Sequence, residues 1–284
     1  MEYIVEYSTE NKYENEVRKG HFELMVKPCI SRYQTLRKID FQHNLCGTAY
    51  YGKTRFNFES LHIHTENRFQ QFRFQLQAKV EKSTPNFLLD SQQSPDTEKA
   101  ILEDKCFQIE QAPFYRNSNL TQLSNKHIPS SWLKKDHEKV GIYLSKLNQE
   151  IRQHLAYQTG VTTPHTTAQE VLQKGVGVCQ DFSHVMLGVL RLQNIPARYV
   201  SGYLNSNSET IQAQLHAWVE VYIPFLGWKG FDPTNQLLED ENYIKIAHGK
   251  DYSDCQPIKG ILQTNGTNET QYHIKVTAYP NQEQ

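Results

Sequence analysis

From Val185 to Leu192 the chain is apolar on most faces of a helix, a pattern that belongs to a segment lying in the middle of a core. This segment closes the run GVGVCQDFSHVMLGVLRLQ at 175–193, in which two glycines lead into a cysteine. If the helix begins near Cys179, the thiol sits among unpaired backbone N–H groups at the positive end of the helix dipole, where an anion is favoured. An ordinary cysteine is only about 3% thiolate at neutral pH, whereas helix N-termini beside a protonated histidine bring the pKa down to roughly 3.5–7.5. Asp181, in the same first turn, also suits the dipole and would oppose a thiolate only if it pointed that way. A buried cysteine is more often inert, so the assignment of Cys179 as a nucleophile depends on a base and an orienting group elsewhere in the chain.

The remainder of the composition works mainly by exclusion. With 30 Lys and Arg against 31 Asp and Glu in 284 residues, the net charge is −1, which removes the electrostatic case for a nucleic-acid or anionic-membrane partner. A hydrophobic fraction of 38% and a mean hydropathy of −0.67 are low but sufficient for a core. The five cysteines, Cys29, Cys46, Cys106, Cys179 and Cys255, are odd in number and lack C-x-x-C spacing, against both a disulfide framework and a zinc cluster. The opening MEYIVEYSTE has no apolar signal region, and Val185–Leu190 is far too short to span a bilayer. The expectation is a cytoplasmic protein with reduced thiols, in which the N-x-[ST] triplets at Asn119, Asn265 and Asn268 carry no message.

Residues 72–80 alternate Phe, Phe, Leu, Ala and Val with Arg, Gln, Gln and Lys, the period of a half-buried strand. Phe22, Leu24 and Val26 repeat the pattern, as do Leu61 and Ile63, and turn residues Asn44, Gly47 and Gly52 separate the runs. An all-β, sandwich-like domain over 1–85 is expected. Residues 86–131, with Pro95, Pro113 and Pro129, read as a connection containing one short helix. From Trp132 the apolar spacing turns helical through Leu155, with Ser130 or Ser131 as a candidate cap. Thr167 and Glu170 make a capping box for a second helix, Ala168–Lys174, that Gly175 ends.

Downstream, HAWVEVYI at 216–223 alternates as a strand, and Pro224–Gly227 supplies a turn. The hairpin would bring Asp232 back beside the strand that starts at His216. Alone, His216 would read as an ordinary core or surface histidine and Asp232 as a turn residue before proline. Together with Cys179 they complete a nucleophile, base and orienting group.

The blocks GVCQDF (177–182), NIPARYVSGY (194–203), HAWVEVY (216–222) and GWKGFDPTN (227–235) occur in order. Through them residues 157–235 closely resemble the bacterial transglutaminase-like superfamily, of the cysteine-protease type. The resemblance implies an α+β fold: a papain-like, transglutaminase-like core over 132–284, after the β domain that accompanies it in bacterial members. It maps the catalytic Cys, His and Asp onto Cys179, His216 and Asp232. Asn194, Ser183 and Leu215 depart from the family pattern, and the bulk of Leu215 would narrow the cleft.

The chemistry implied is acyl transfer on peptide or side-chain amides through a thioester, ending in hydrolysis or transamidation, with no cofactor and a peptide or protein as partner. A non-catalytic peptide-binding or scaffolding module is the alternative. Gln173, six residues before Cys179, is a candidate oxyanion donor, and Trp218 and Trp228 are candidate cleft walls. Arg198 would pair with a buried carboxylate, Asp181 or Glu220. His62 and His64 share a strand face but lack a third metal ligand, and no calcium loop of the D-x-D-x-D-G kind occurs.

Overall fold

The period-two segments fold as strands in the computed structural model, which describes residues 1–205 and 214–279. The first six are β1 (Glu2–Val17), β2 (Gly20–Leu24), β3 (Gln34–His43), β4 (Thr48–Lys53), β5 (Glu59–Thr65) and β6 (Phe69–Lys82). Tyr3, Val5 and Tyr7 of β1 are buried, as are Phe72, Phe74 and Leu76 of the neighbouring β6, while the residues between them face outward. β1, β6 and β3 lie side by side in one antiparallel sheet, and β2, β5 and β4 in another. The inner faces meet where the Phe22 and Phe72 rings stack with centroids 4.0 Å apart.

The connection after β6 holds three short helices, α1 (Pro95–Glu103), α2 (Lys105–Glu110) and α3 (Ala112–Tyr115), where one was expected. The helix expected from Trp132 instead begins at Val140: α4 spans Val140–His154, and Ser130–Trp132 is a single 3-10 turn. The reason lies outside the segment. Leu133 is 41% exposed, so the buried stripe starts only at Val140. There the carboxylate of the buried Glu98, on α1, accepts the Val140 N–H at 2.7 Å and does the work of a cap.

After β7 (Ala156–Tyr157), α5 (Ala168–Lys174) has the Thr167–Glu170 capping box and ends on Gly175 at φ 69°, as its sequence requires. β8 (Val176–Gly177) then feeds α6 (Cys179–Leu192), where Phe182, Val185, Met186 and Val189 are fully buried. α6 packs on a sheet made of β9 (Ala197–Leu204), β10 (Gln214–Ile223), β11 (Gly227–Asp232), β12 (Leu237–Leu238) and β13 (Tyr243–Gly249) in the order β12-β11-β10-β9-β13. On β10, Ala217, Val219 and Val221 share one face and His216, Trp218 and Glu220 the other, and from Ala217 to Val221 the strand is buried on both.

The last two strands depart from the expected domain order. β14 (Ile258–Leu262) pairs with β2, and β15 (Asn268–Tyr279) pairs with β1 from Glu2↔Tyr279 to Tyr13↔Asn268. The segment expected to end the 132–284 domain therefore supplies an edge strand to each of the first two sheets. The β unit also reaches the core sheet directly. The buried Gln34 side chain donates to Lys245 O at 2.7 Å and accepts from Lys245 N at 2.8 Å, and Tyr203 donates to Val26 O at 2.6 Å.

Candidate active site

Cys179 is the first residue of α6. The first helical hydrogen bonds run from the N–H groups of Asp181 and Phe182 to Val178 O, which leaves the Cys179 and Gln180 N–H groups ahead of the ladder. The turn before them is held by Asp181, whose Oδ2 accepts Val178 N–H at 2.8 Å and the Thr162 hydroxyl at 2.7 Å. Burial pushes the Asp181 carboxyl above its ordinary pKa against these hydrogen bonds, and its Oδ1 is buried without a partner. Asp181 thus braces the helix start and is not the partner of Arg198, which binds Glu220.

The β10–β11 hairpin runs in register Val219↔Phe231 to Ile223↔Gly227, which brings His216 and Asp232 together at its open end. His216 Nε2 lies 2.7 Å from Asp232 Oδ2, and Asp232 is fully buried. The same Oδ2 accepts from the Tyr243 hydroxyl and from Asn235 Nδ2, each at 2.8 Å. Oδ1 accepts the N–H groups of Thr234 at 2.9 Å and Asn235 at 3.2 Å. Burial alone would raise the pKa of Asp232, but the His216 charge and the donors around it hold the carboxyl below the ordinary range. Burial likewise disfavours a charged His216, yet Asp232, followed by the Cys179 thiol as hydrogen-bond partner, lifts its pKa to about 10. With Nε2 engaged by Asp232, Nδ1 is the ring nitrogen left for the thiol.

The three residues mapped by the sequence blocks therefore come together, whereas the other candidates do not. Gln173 is exposed at the penultimate position of α5 and, among the described residues, makes no hydrogen bond to the three. Trp218 is fully buried, edge-on to Tyr243 at 5.3 Å, with Nε1 donating to Glu239 at 3.3 Å, so it has no face for a cleft. Trp228 is half-buried under the Arg198 guanidinium, 4.1 Å from the ring centroid, and lines a cavity that Cys179, His216 and Asp232 do not. His62 contacts His21 at 3.2 Å and Ser60 at 2.9 Å. Among the described residues no three His, Cys, Asp or Glu side chains converge as a metal site.

Sequence reasoning missed Tyr243, Asn235 and Tyr157. Tyr157, on β7, is 45% exposed and raised in pKa, first by burial and then by the neighbouring Cys179, which makes it a wall of the thiol's surroundings. Asn235 stood within the GWKGFDPTN block, three residues after Asp232, and was readable as an Asx-turn partner. Tyr243 lay beyond every motif and arrives from β13.

Residues 133–233 match the model of the transglutaminase-like superfamily. An uncharacterised protein of Mycobacterium leprae is 38% identical over 131 residues, covering 44% of this chain and 46% of that protein. One of Mycobacterium tuberculosis is 38% identical over 135 residues, covering 44% of this chain and 43% of that protein. The chain thus spans less than half the length of these relatives. A protein-glutamine gamma-glutamyltransferase of Pseudomonas aeruginosa is 26% identical over 215 residues, 63% of this chain and 32% of that enzyme. The crystal structure of a candidate cysteine protease from Cytophaga hutchinsonii superposes with a TM-score of 0.81 over 100% of this chain and 92% of that one, at 20% identity, a likeness of fold alone.

Proposed function

Because the chain carries a transglutaminase-like superfamily domain over residues 133–233, we propose that it is a thiol-dependent acyl-transfer enzyme acting on peptide or side-chain amides. The observation that carries the reading is the hydrogen bond of 2.7 Å between His216 and Asp232, with the thiol of Cys179 as the ring's other partner. In the proposed reaction the Cys179 sulfur bonds to the amide carbon, and the oxygen takes the charge against the N–H groups that open α6. The imidazolium of His216 then gives its proton to the departing amine as the C–N bond breaks, leaving a thioester on Cys179. Water, deprotonated by His216, releases an acid; a primary amine at the same carbon gives transamidation. Asp232 fixes the ring and neutralises its charge throughout.

Water is the acceptor proposed first, and the resemblance to a gamma-glutamyltransferase keeps the amine route as the competing outcome. The five free thiols support a reducing, cytoplasmic setting. Among the described residues no helix is long and apolar enough to cross a membrane. Incubation of a peptide library with the protein, with and without a labelled primary amine, tests the reaction by mass spectrometry. Cleavage or deamidation without label means hydrolysis, and labelled glutamine means transamidation. No change beyond that of a Cys179→Ala control refutes an enzyme of this class.

A further inference from the structure

Behind the catalytic sheet a cavity of about 290 Å³ opens between the loop at 31–33, the strap at 85–89 and the β10–β11 hairpin. Its charged lining is Arg32, Arg198, Lys229 and Lys245 against Glu220 and Glu239, an excess of two positive charges. The two carboxylates are already engaged: Glu220 by Arg198 and Lys245, and Glu239 by Lys82 from outside the cavity. Arg32 and Lys229 remain. Among the described residues neither has a carboxylate within salt-bridge distance, and Lys229 spends one donor on Asn86 O at 2.6 Å, leaving two. Burial and the neighbouring Arg32 both push the Lys229 pKa down, as expected of two like charges lining the same cavity. Beside them Trp228 and Phe87 offer aromatic surface, and Arg198, also in the lining, stacks on the Trp228 ring 4.1 Å from its centroid.

We propose that this cavity is a second binding site, for a small organic anion whose charged head bridges Arg32 and Lys229 and whose apolar or aromatic body lies against Trp228 and Phe87. A carboxylate or a phosphate satisfies both cations, the first with one charge and the second with two. The volume suits a molecule of one ring with a short arm, below the usual size of drug-like ligands. The site is separate from the chemistry proposed for Cys179, since none of the three catalytic candidates lines it.

The test titrates the full chain with phenyl phosphate, phenylacetate and the neutral phenylacetamide, followed by tryptophan fluorescence and by calorimetry. Saturable binding of at least one anion is expected below about 10 mM, at least tenfold tighter than the amide, and weakened at least tenfold in Arg32→Gln/Lys229→Gln. A tighter phenyl phosphate would assign the site to phosphate esters, and a tighter phenylacetate to carboxylates. Trp228→Phe should remove the fluorescence change while calorimetric binding persists, and Cys179→Ala should leave both unchanged. Arg32 is exposed, so Arg32→Gln alone, with an unchanged thermal transition, keeps the test valid if the double variant misfolds. No saturable binding, equal affinity for the amide, or undiminished binding by the Arg32 variant overturns the proposal.

Discussion

At the scale of single residues the site turns on how many donors converge on one carboxylate. Asp232 stays charged at zero exposure because His216, Tyr243, Asn235 Nδ2 and two backbone N–H groups all point at it. A hydrogen bond to a charged, buried group is worth about 1.5–3 kcal/mol, so Tyr243→Phe should raise the Asp232 pKa. The acid limb of the pH profile for Cys179 alkylation then moves to higher pH; an unmoved limb would deny Tyr243 this role. His216 makes the complementary prediction. Its folded pKa of about 10 exceeds the ordinary 6.5, so its contribution to stability is complete below 6.5 and is lost as pH rises through 10. The contribution of Asp232, whose pKa is lowered from 3.8, is present above 3.8 and fades as pH falls through the lowered value. Urea midpoints should therefore fall on the alkaline side for the wild type and much less for Asp232→Asn; parallel curves would count against the pair. The pair was legible because a strand, a turn and a returning strand fix which side chains meet. Tyr243 was not, because its partner is eleven residues back in sequence and lies across two intervening strands of the sheet.

At the scale of elements, the thiol's position depends on the turn from α5 into α6. Gly175 sits at φ 69° with nothing within 4 Å of an added Cβ, so Gly175→Ala costs only the backbone strain, about 1 kcal/mol. Gly177 is different. A Cβ there would lie 2.7 Å from Asp181 Cβ and 2.8 Å from its Oδ2, displacing the carboxylate that holds Val178 N–H. Gly175→Ala should lower the thermal midpoint and spare the alkylation rate of Cys179, while Gly177→Ala should slow that alkylation about tenfold or more. Equal effects on both readouts in the two variants would separate Asp181 from the placement of the thiol. Helix α5 could be read residue by residue because its cap, box and terminal glycine are all local. The start of α4 could not, because its cap is Glu98, from another helix forty-two residues earlier.

At the scale of the whole molecule the chain closes on itself. β15 covers one edge of β1 along its length from Glu2 to Tyr13, and β14 covers an edge of β2. A chain ending at Pro257 would expose both edges and the partners of the buried Ile274, and is expected to lose its cooperative thermal transition and to bind an apolar dye. A native-like melt of that truncated chain would show the β unit to be complete without its last strands. Strand partners that lie more than two hundred residues apart are a property of topology, which no local pattern encodes.

Activation of the Cys179 thiol is read out by iodoacetamide labelling at about pH 6, where an ordinary thiol is almost wholly protonated. Intact-mass and peptide mapping would follow all five cysteines, two of which, Cys46 and Cys106, are more exposed than Cys179. Cys179 is expected to react at least tenfold faster than either, and to lose that advantage in His216→Ala. Labelling that follows exposure, with Cys46 and Cys106 reacting first and no effect of His216→Ala, would contradict that activation.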